Sequence, residues 1–405
     1  MARLKFGTFL APHHPIRENP TLQFQRDLEL ATHLDRLGID EFWCGEHHST
    51  GWEMIASPEM FLSAAAMVTH RIMLGTGVIS LPYHHPFNVA QRIVQLDHLS
   101  KGRAMFGSGP GALPSDAYTL NIDPLTQRDR QDEALGVIIK LLRGDERFSY
   151  DCDWFTLREA ALQILPVQEN MPMTTASTIS PSGMNLAGKY GIGALSIAST
   201  SVEGIQALPT QWQFAEDSAA KHGQTVSRAN WRVLMSWHIA ETREQAKAES
   251  MLGLQKWHNE YNVKVLGRPG AQWIDDPEVL FDQVARGGAD GGGAAVVGTL
   301  PEVLDALAEC REPLRRAREG RHAARKQRAQ HVQEARPGGL AVERDDIARA
   351  VDEGDAGGEL EIPVRDEVQR LARARVQQKS GQEERLQFSA VVQCEDERVM
   401  LRRDA

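Results

Sequence analysis

Between Leu4 and Ala240 short β-rich runs alternate with amphipathic helical stretches, and this alternation constrains the fold more than any other feature of the chain. Repeated βα units of this kind place their strands in a parallel sheet, with the helices covering it. The strands read as Leu4 to Leu10, Glu41 to Gly45, Arg71 to Val78, Arg103 to Gly107, Met173 to Thr178, Gly193 to Ile197 and Arg232 to Ala240. Helical periodicity occupies Leu22 to Leu37, Pro58 to Thr69, Phe87 to Leu99, Thr126 to Leu142, Pro181 to Tyr190, Glu203 to His222 and Arg243 to Tyr261. These units predict an α/β fold, a TIM (β/α)8 barrel that lacks a normal eighth unit. Phe148 to Leu157 reads as a small hairpin, and Gly288 to Gly293 as a glycine-rich break before a last helical run, Pro301 to Glu309.

Past Cys310 the pattern ends. Arginine crowds into this stretch, Phe388 is its one aromatic residue, and so little apolar surface cannot offset the entropy of ordering. The expected division is a barrel domain over 1–309 and an Arg-rich charged tail over 310–405, disordered or partly helical. A barrel left open between its seventh and first strands would expose sheet edges. The abrupt change is what a frameshift or fusion in the coding sequence would produce.

A net charge of -10 argues against nucleic acid as a partner, because phosphate binding needs concentrated positive surface. No run approaches the roughly 18 apolar residues of a membrane helix, and the start MARLKFGTFLAPHHP lacks a secretory pattern. Cys44, Cys152, Cys310 and Cys394 are scattered and form no CxxC pair, which fits a reducing compartment. The expected location is the cytoplasm, with no membrane partner.

In a βα barrel the residues directly after the strands face the catalytic end. Glu46-His47-His48 follows the second strand. Adjacent side chains on extended backbone point apart, so this pair does not chelate one ion, and no metal is expected. A histidine there can exchange protons near neutral pH, with a carboxylate beside it fixing one tautomer. His47 is the expected actor; His48 reads equally as a hydrogen-bonded structural residue.

The run Gly107-Ser108-Gly109-Pro110-Gly111 departs from a dinucleotide fingerprint and leaves bare backbone that a flat ring system could approach, or simply a tight turn. Hydroxyls at Thr178, Ser180 and Ser182 precede a helix whose free N–H groups favour an anion such as phosphate, although N-capping accounts for one of them.

Taken in order, EFWCGEHHSTGWE, LGTGVISLPYHHPFNVAQRIVQLDHLSKGRAMFGSGPGALPSDAY and ASTISPSGMNLAGKYG resemble the bacterial luciferase-like flavin monooxygenase family from Lys5 to about Glu309. The resemblance implies a barrel that binds reduced flavin, FMN or FAD, with NADH acting directly or through a flavin reductase. It implies a monooxygenase that adds O2 as a flavin C4a-hydroperoxide and passes one oxygen to a hydrophobic substrate. Epoxidation of a monoterpene alkene such as limonene is the leading case. His47 matches the catalytic histidine, and Glu46 precedes it as in the family pattern. Gly109 stands where luciferase carries a reactive cysteine, so no thiol acts there.

Asp116 resembles an acidic residue near the flavin, and Thr178 and Ser182 match positions that bind its phosphate. GTGVIS implies a non-proline cis peptide at Gly77-Val78 beneath the flavin ring. Phe9, Trp52, Tyr83 and Trp237 would line an oily mouth, though barrel packing accounts for some of them. A homodimer is compatible with the resemblance. Two other readings remain open: a deazaflavin-dependent hydride-transfer oxidoreductase, and a flavin-binding protein without turnover.

Overall fold

The computed structural model describes residues 5–11, 13–144, 146–197, 202–268, 270–284, 295–299, 301–303 and, as backbone, 389–393. The Gly288 to Gly293 break, most of the Pro301 to Glu309 run, Cys310, Cys394 and nearly all of the tail lie outside the described residues. The chain runs β1 (Lys5–Leu10), α1 (Pro20–Leu37), β2 (Glu41–Cys44), α2 (Pro58–Val68), β3 (Met73–Thr76), β4 (Ile79–Ser80), α3 (Pro86–Ser100) and β5 (Ala104–Gly109). Next come α4 (Pro114–Thr119), α5 (Gln127–Arg143), a hairpin of β6 (Phe148–Asp151) and β7 (Thr156–Ala160), β8 (Met173–Ser177), α6 (Ser182–Tyr190), β9 (Gly193–Ser196) and α7 (Val202–His222). The last described elements are β10 (Trp231–Ile239), α8 (Arg243–Lys256), a π-helical segment Trp257–Val265, α9 (Pro277–Val284), β11 (Val296–Gly298) and β12 (Ser389–Gln393).

Local chemistry sets the helix ends. Pro20, Pro58 and Pro86 each open a helix, where the missing N–H costs nothing and the fixed φ is already helical. The Asn19 side chain accepts the Thr21 N–H, and Gly38 stops α1 in the left-handed region at φ 81°.

Seven strands, β1, β2, β3, β5, β8, β9 and β10, pair in parallel in that order, as the sequence pattern predicts. Alternation along them separates two layers. Phe42 and Cys44 face the helices, whereas Trp43 joins Met105, Leu195 and Leu234 in the barrel interior. Glu41 also points inward: Arg232 grips its carboxylate with two bonds of 2.8 Å, and the Trp43 indole N–H donates to the same group at 2.8 Å. A Cβ on Gly75 would lie 2.4 Å from the Trp43 ring, so only glycine lets β3 pass there. Polar pairing and bulky rings therefore fill the lower interior, and the strand C-termini are left as the place for chemistry.

One described segment of the tail joins the barrel sheet. The gap between β10 and β1 does not stay open: β12, drawn from a tail expected to be disordered or helical, pairs antiparallel with both, Val392 opposite Phe6 on one side and Val233 on the other. Its direction is the reverse of a normal eighth unit, whose strand would run parallel. β11, absent from the sequence reading because only three residues pair, extends β10 in parallel at Trp237 to Ile239. The third strand also breaks earlier than expected. β3 ends at Thr76, the Gly77-Val78 bond is cis, and the chain pairs again as β4 with Ser108 and Gly109.

Candidate functional site

The site forms where the chain leaves β2, β3, β5 and β8 at one end of the barrel. Hydrogen bonds tie these exits together: Gly45 N–H to Leu10 O at 3.1 Å, and Gly77 N–H to Cys44 O at 2.7 Å. The Thr76 hydroxyl donates to Gly107 O at 2.8 Å and accepts the Gly107 N–H at 2.8 Å. That pair of hydrogen bonds locks β3 to β5 beside the Gly77-Val78 cis peptide, where the family resemblance implied it.

His47 stands at the centre. Its Nδ1 lies 3.1 Å from Asp116 Oδ2, and its Nε2 lies 3.4 Å from Glu53 Oε1. Asp116, in the first turn of α4, also accepts the His48 N–H at 3.1 Å and the Ser49 hydroxyl. Burial opposes the imidazolium of His47, but the Asp116 hydrogen bond and the Glu53 charge outweigh it and raise its pKa. Burial works against the Asp116 charge too, and the donors from His47, Ser49 and the His48 backbone overcome it, so its pKa falls.

His48 points away from its neighbour, as expected. Its Nε2 pairs with Glu46 Oε1 at 2.7 Å, and His84 Nε2 meets the same oxygen at 2.8 Å. Ser80 N–H donates to Glu46 Oε2 at 3.1 Å. Glu46 is buried at 3% exposure, yet these donors pull its pKa below the ordinary value against the cost of burial. Its hydrogen bond in turn raises the pKa of His48. The donor atoms of Glu46, His48 and His84 all lie within 4.8 Å, a spacing that suits a divalent cation, although each atom is already satisfied within the trio. Glu46 thus braces the loop, while His47 faces outward from it.

The glycine and hydroxyl clusters separate. A Cβ on Gly107 would stand 2.1 Å from Thr76 O, and one on Gly109 would stand 2.4 Å from Val78 Cγ2. On the side where a Cβ would stand, these glycines admit the neighbouring backbone and Val78. Gly77 likewise accommodates the Phe9 ring, 2.8 Å from a built Cβ. Thr178 is exposed, Ser180 Oγ and Ser182 Oγ are 3.0 Å apart, and no side chain caps the N-terminus of α6. Gly183 sits so tightly that a Cβ would fall 2.1 Å from Ala176 O, a cradle closed to anything but bare backbone. Uncapped N–H groups flanked by hydroxyls fit a phosphate.

Of the proposed wall residues, Phe9 packs by Gly77 and Trp52 lies 5.9 Å from the Tyr261 ring. Tyr83 accepts a hydrogen bond from Gln127 at 2.8 Å, and burial pushes its hydroxyl up to about 12. Trp237 does not reach the mouth. It stacks on Phe6 at 6.4 Å within the layer that holds Trp212 and Trp231, because its position in β10 faces the helices.

Sequence reasoning missed Glu53, His84, Ser49, His13 and Tyr261. Ser49 and Glu53 lie in the quoted EFWCGEHHSTGWE run and His84 in YHHP, but none was given a role there; His13 and Tyr261 belong to no quoted motif and are brought in only by the fold.

The luciferase-like monooxygenase family model matches residues 4–351, beyond the Glu309 limit of the resemblance read from the motifs. The chain belongs to this family. It is 49% identical over 301 residues to limonene 1,2-monooxygenase of Rhodococcus erythropolis, covering 74% of this chain and 75% of that one. It is 46% identical over 315 residues to 4-hydroxyprotoasukamycin monooxygenase of Streptomyces nodosus subsp. asukaensis, covering 77% and 83%. Among solved structures, the oxygenating constituent of 3,6-diketocamphane monooxygenase from Pseudomonas putida, in complex with FMN, superposes with a TM-score of 0.64. That match is 21% identical over 77% of this chain and 89% of the other, and it shows the shared barrel. The chain is a flavin-dependent monooxygenase with a luciferase-like barrel. No described helix is long and apolar enough to cross a membrane.

Proposed function

We propose that this monooxygenase inserts one atom of O2 into a hydrophobic alkene, epoxidation of a monoterpene such as limonene being its leading activity. The observation that carries the reading is His47, held between two carboxylates at the strand C-termini on the barrel end that also bears the uncapped α6. The names of the two close relatives favour oxygen insertion over deazaflavin hydride transfer.

Reduced FMN, or FAD, would supply the electrons that activate O2, with NADH feeding it through a separate reductase. Thr178, Ser180, Ser182 and the first N–H groups of α6 would hold its phosphate. Gly77, Gly107 and Gly109 would support its ring through the floor that their close packing builds. His47, with Nδ1 on Asp116 and Nε2 facing Glu53, would exchange a proton with the reacting centre as charge develops beside the ring. Asp116 fixes the tautomer, and Glu46 keeps the loop in register through His48 and His84. Phe9 and Trp52 exclude water from the reacting centre. The buried free thiol of Cys44 agrees with a cytoplasmic location.

Incubating the protein with reduced flavin and limonene in air should give an epoxide detectable by mass spectrometry. His47→Ala should cut product formation while flavin affinity changes little; equal activity in that variant removes the assignment.

A further inference from the structure

Glu53, the last residue of the EFWCGEHHSTGWE run, is a buried carboxylate, 5% exposed, to which the sequence assigned no role. Its Oε1 lies 3.4 Å from His47 Nε2 and 3.4 Å from His13 Nε2, and its Oε2 accepts the Tyr261 hydroxyl. Tyr261 belongs to the π-helical segment after α8, distant in sequence, and its ring packs edge-on to His13 at 4.5 Å. Burial keeps His13 below its ordinary pKa, and with it neutral. Burial and the Glu53 charge push the Tyr261 hydroxyl upward, so it remains a donor. The remaining contact of its carboxylate is the His47 ring, at 3.4 Å.

We propose that Glu53 is a positioning residue for the reaction: it holds the second nitrogen of His47 opposite Asp116 and anchors that nitrogen, through Tyr261, to the segment that follows α8. The proposal rests on His47 as the acting residue. A single carboxylate on Nδ1 would leave the ring free to turn about its bond to the loop. A second one on Nε2 fixes its plane and favours the protonated ring from both edges. The groups facing this pair are Asp116 from α4, Glu46 and His48 from the loop after β2, His13 from the loop after β1, and Tyr261 and Arg268 after α8. Arg268 acts on His13 and Tyr261, so removing Glu53 leaves Asp116 as the direct anionic contact of His47.

The test is titration of the His47 ring by NMR in the full chain, without flavin or substrate, its resonances assigned by their loss in His47→Gln. Glu53→Gln keeps the shape and the Tyr261 contact, and should lower the His47 pKa by about 1 unit. The alkaline limb of the activity profile should move by the same amount toward acid. Glu53→Asp keeps the charge on a shorter arm and should give a smaller shift in the same direction; it serves as the test if Glu53→Gln does not fold. Asp116→Asn is the positive control. If it shifts the titration while the Glu53 variants leave it unchanged, the inference fails and the role of His47 stands. If the Glu53 shift appears in the titration yet His47→Ala retains full activity, the reading of function fails and the contact stands.

Discussion

Asp116→Asn is the perturbation that most directly probes the proton chemistry. Asp116 is buried and its two oxygens are divided: Oδ2 faces His47 Nδ1 at 3.1 Å, while Oδ1 takes the His48 N–H at 3.1 Å and the Ser49 hydroxyl. An asparagine would keep its carbonyl on the two donors and turn its NH2 toward Nδ1, which must then accept. The ring tautomer reverses and the imidazolium loses its nearest anion. Opposite charges at this range move a pKa by about 1–3 units. Because His47 is 20% exposed and Glu53 remains, the lower part of that range applies, about 1–2 units or ~1.4–2.7 kcal/mol.

The sign follows from the raised pKa of His47: the protonated ring persists below that pKa and is lost as pH rises through it. Product formation from limonene under saturating reduced flavin, measured as kcat/KM against pH, should therefore show its alkaline limb shifted toward acid by about 1–2 units in the variant. Flavin affinity should stay within about 3-fold, a difference below ~0.7 kcal/mol. An alkaline limb that superimposes on the wild-type curve, or one moved to higher pH, refutes the argument.

Two further outcomes follow from the interior and the cofactor seat. Glu41→Gln leaves Arg232 buried without its charge partner and should cost about 3–5 kcal/mol in denaturant unfolding, whereas Glu41→Gln combined with Arg232→Met should cost far less than the two single losses added; a single-variant loss under ~1 kcal/mol would show that the pair is not sealed from water. Gly183→Ala drives a methyl into Ala176 O and must lift α6 from β8, so flavin affinity should fall at least ~10-fold in a fluorescence titration; unchanged affinity would move the phosphate seat elsewhere.

The sequence by itself determined the seven parallel strands, the course of the seven helices read between them and the place of His47 and the α6 hydroxyls after strand ends, whereas Asp116 entered only through the family resemblance. Hydrophobic period, proline and glycine placement are local properties, and the strand C-terminus rule turns them into a site. Boundaries slipped where backbone pairing overrides composition, as in the run Arg71 to Val78, which divides into β3 and β4 around the cis bond. Tertiary structure alone decided which carboxylates face the imidazole. Glu53 and Tyr261 meet across 208 positions of chain, and His84 reaches Glu46 across 38. It also decided that Gly107 and Gly109 serve close packing, that Trp237 faces the helices, and that an antiparallel strand from the charged tail lies between β10 and β1. The physical reason is the same in each case: side-chain direction and edge pairing are settled by what packs on the other side, and a linear pattern does not name that neighbour.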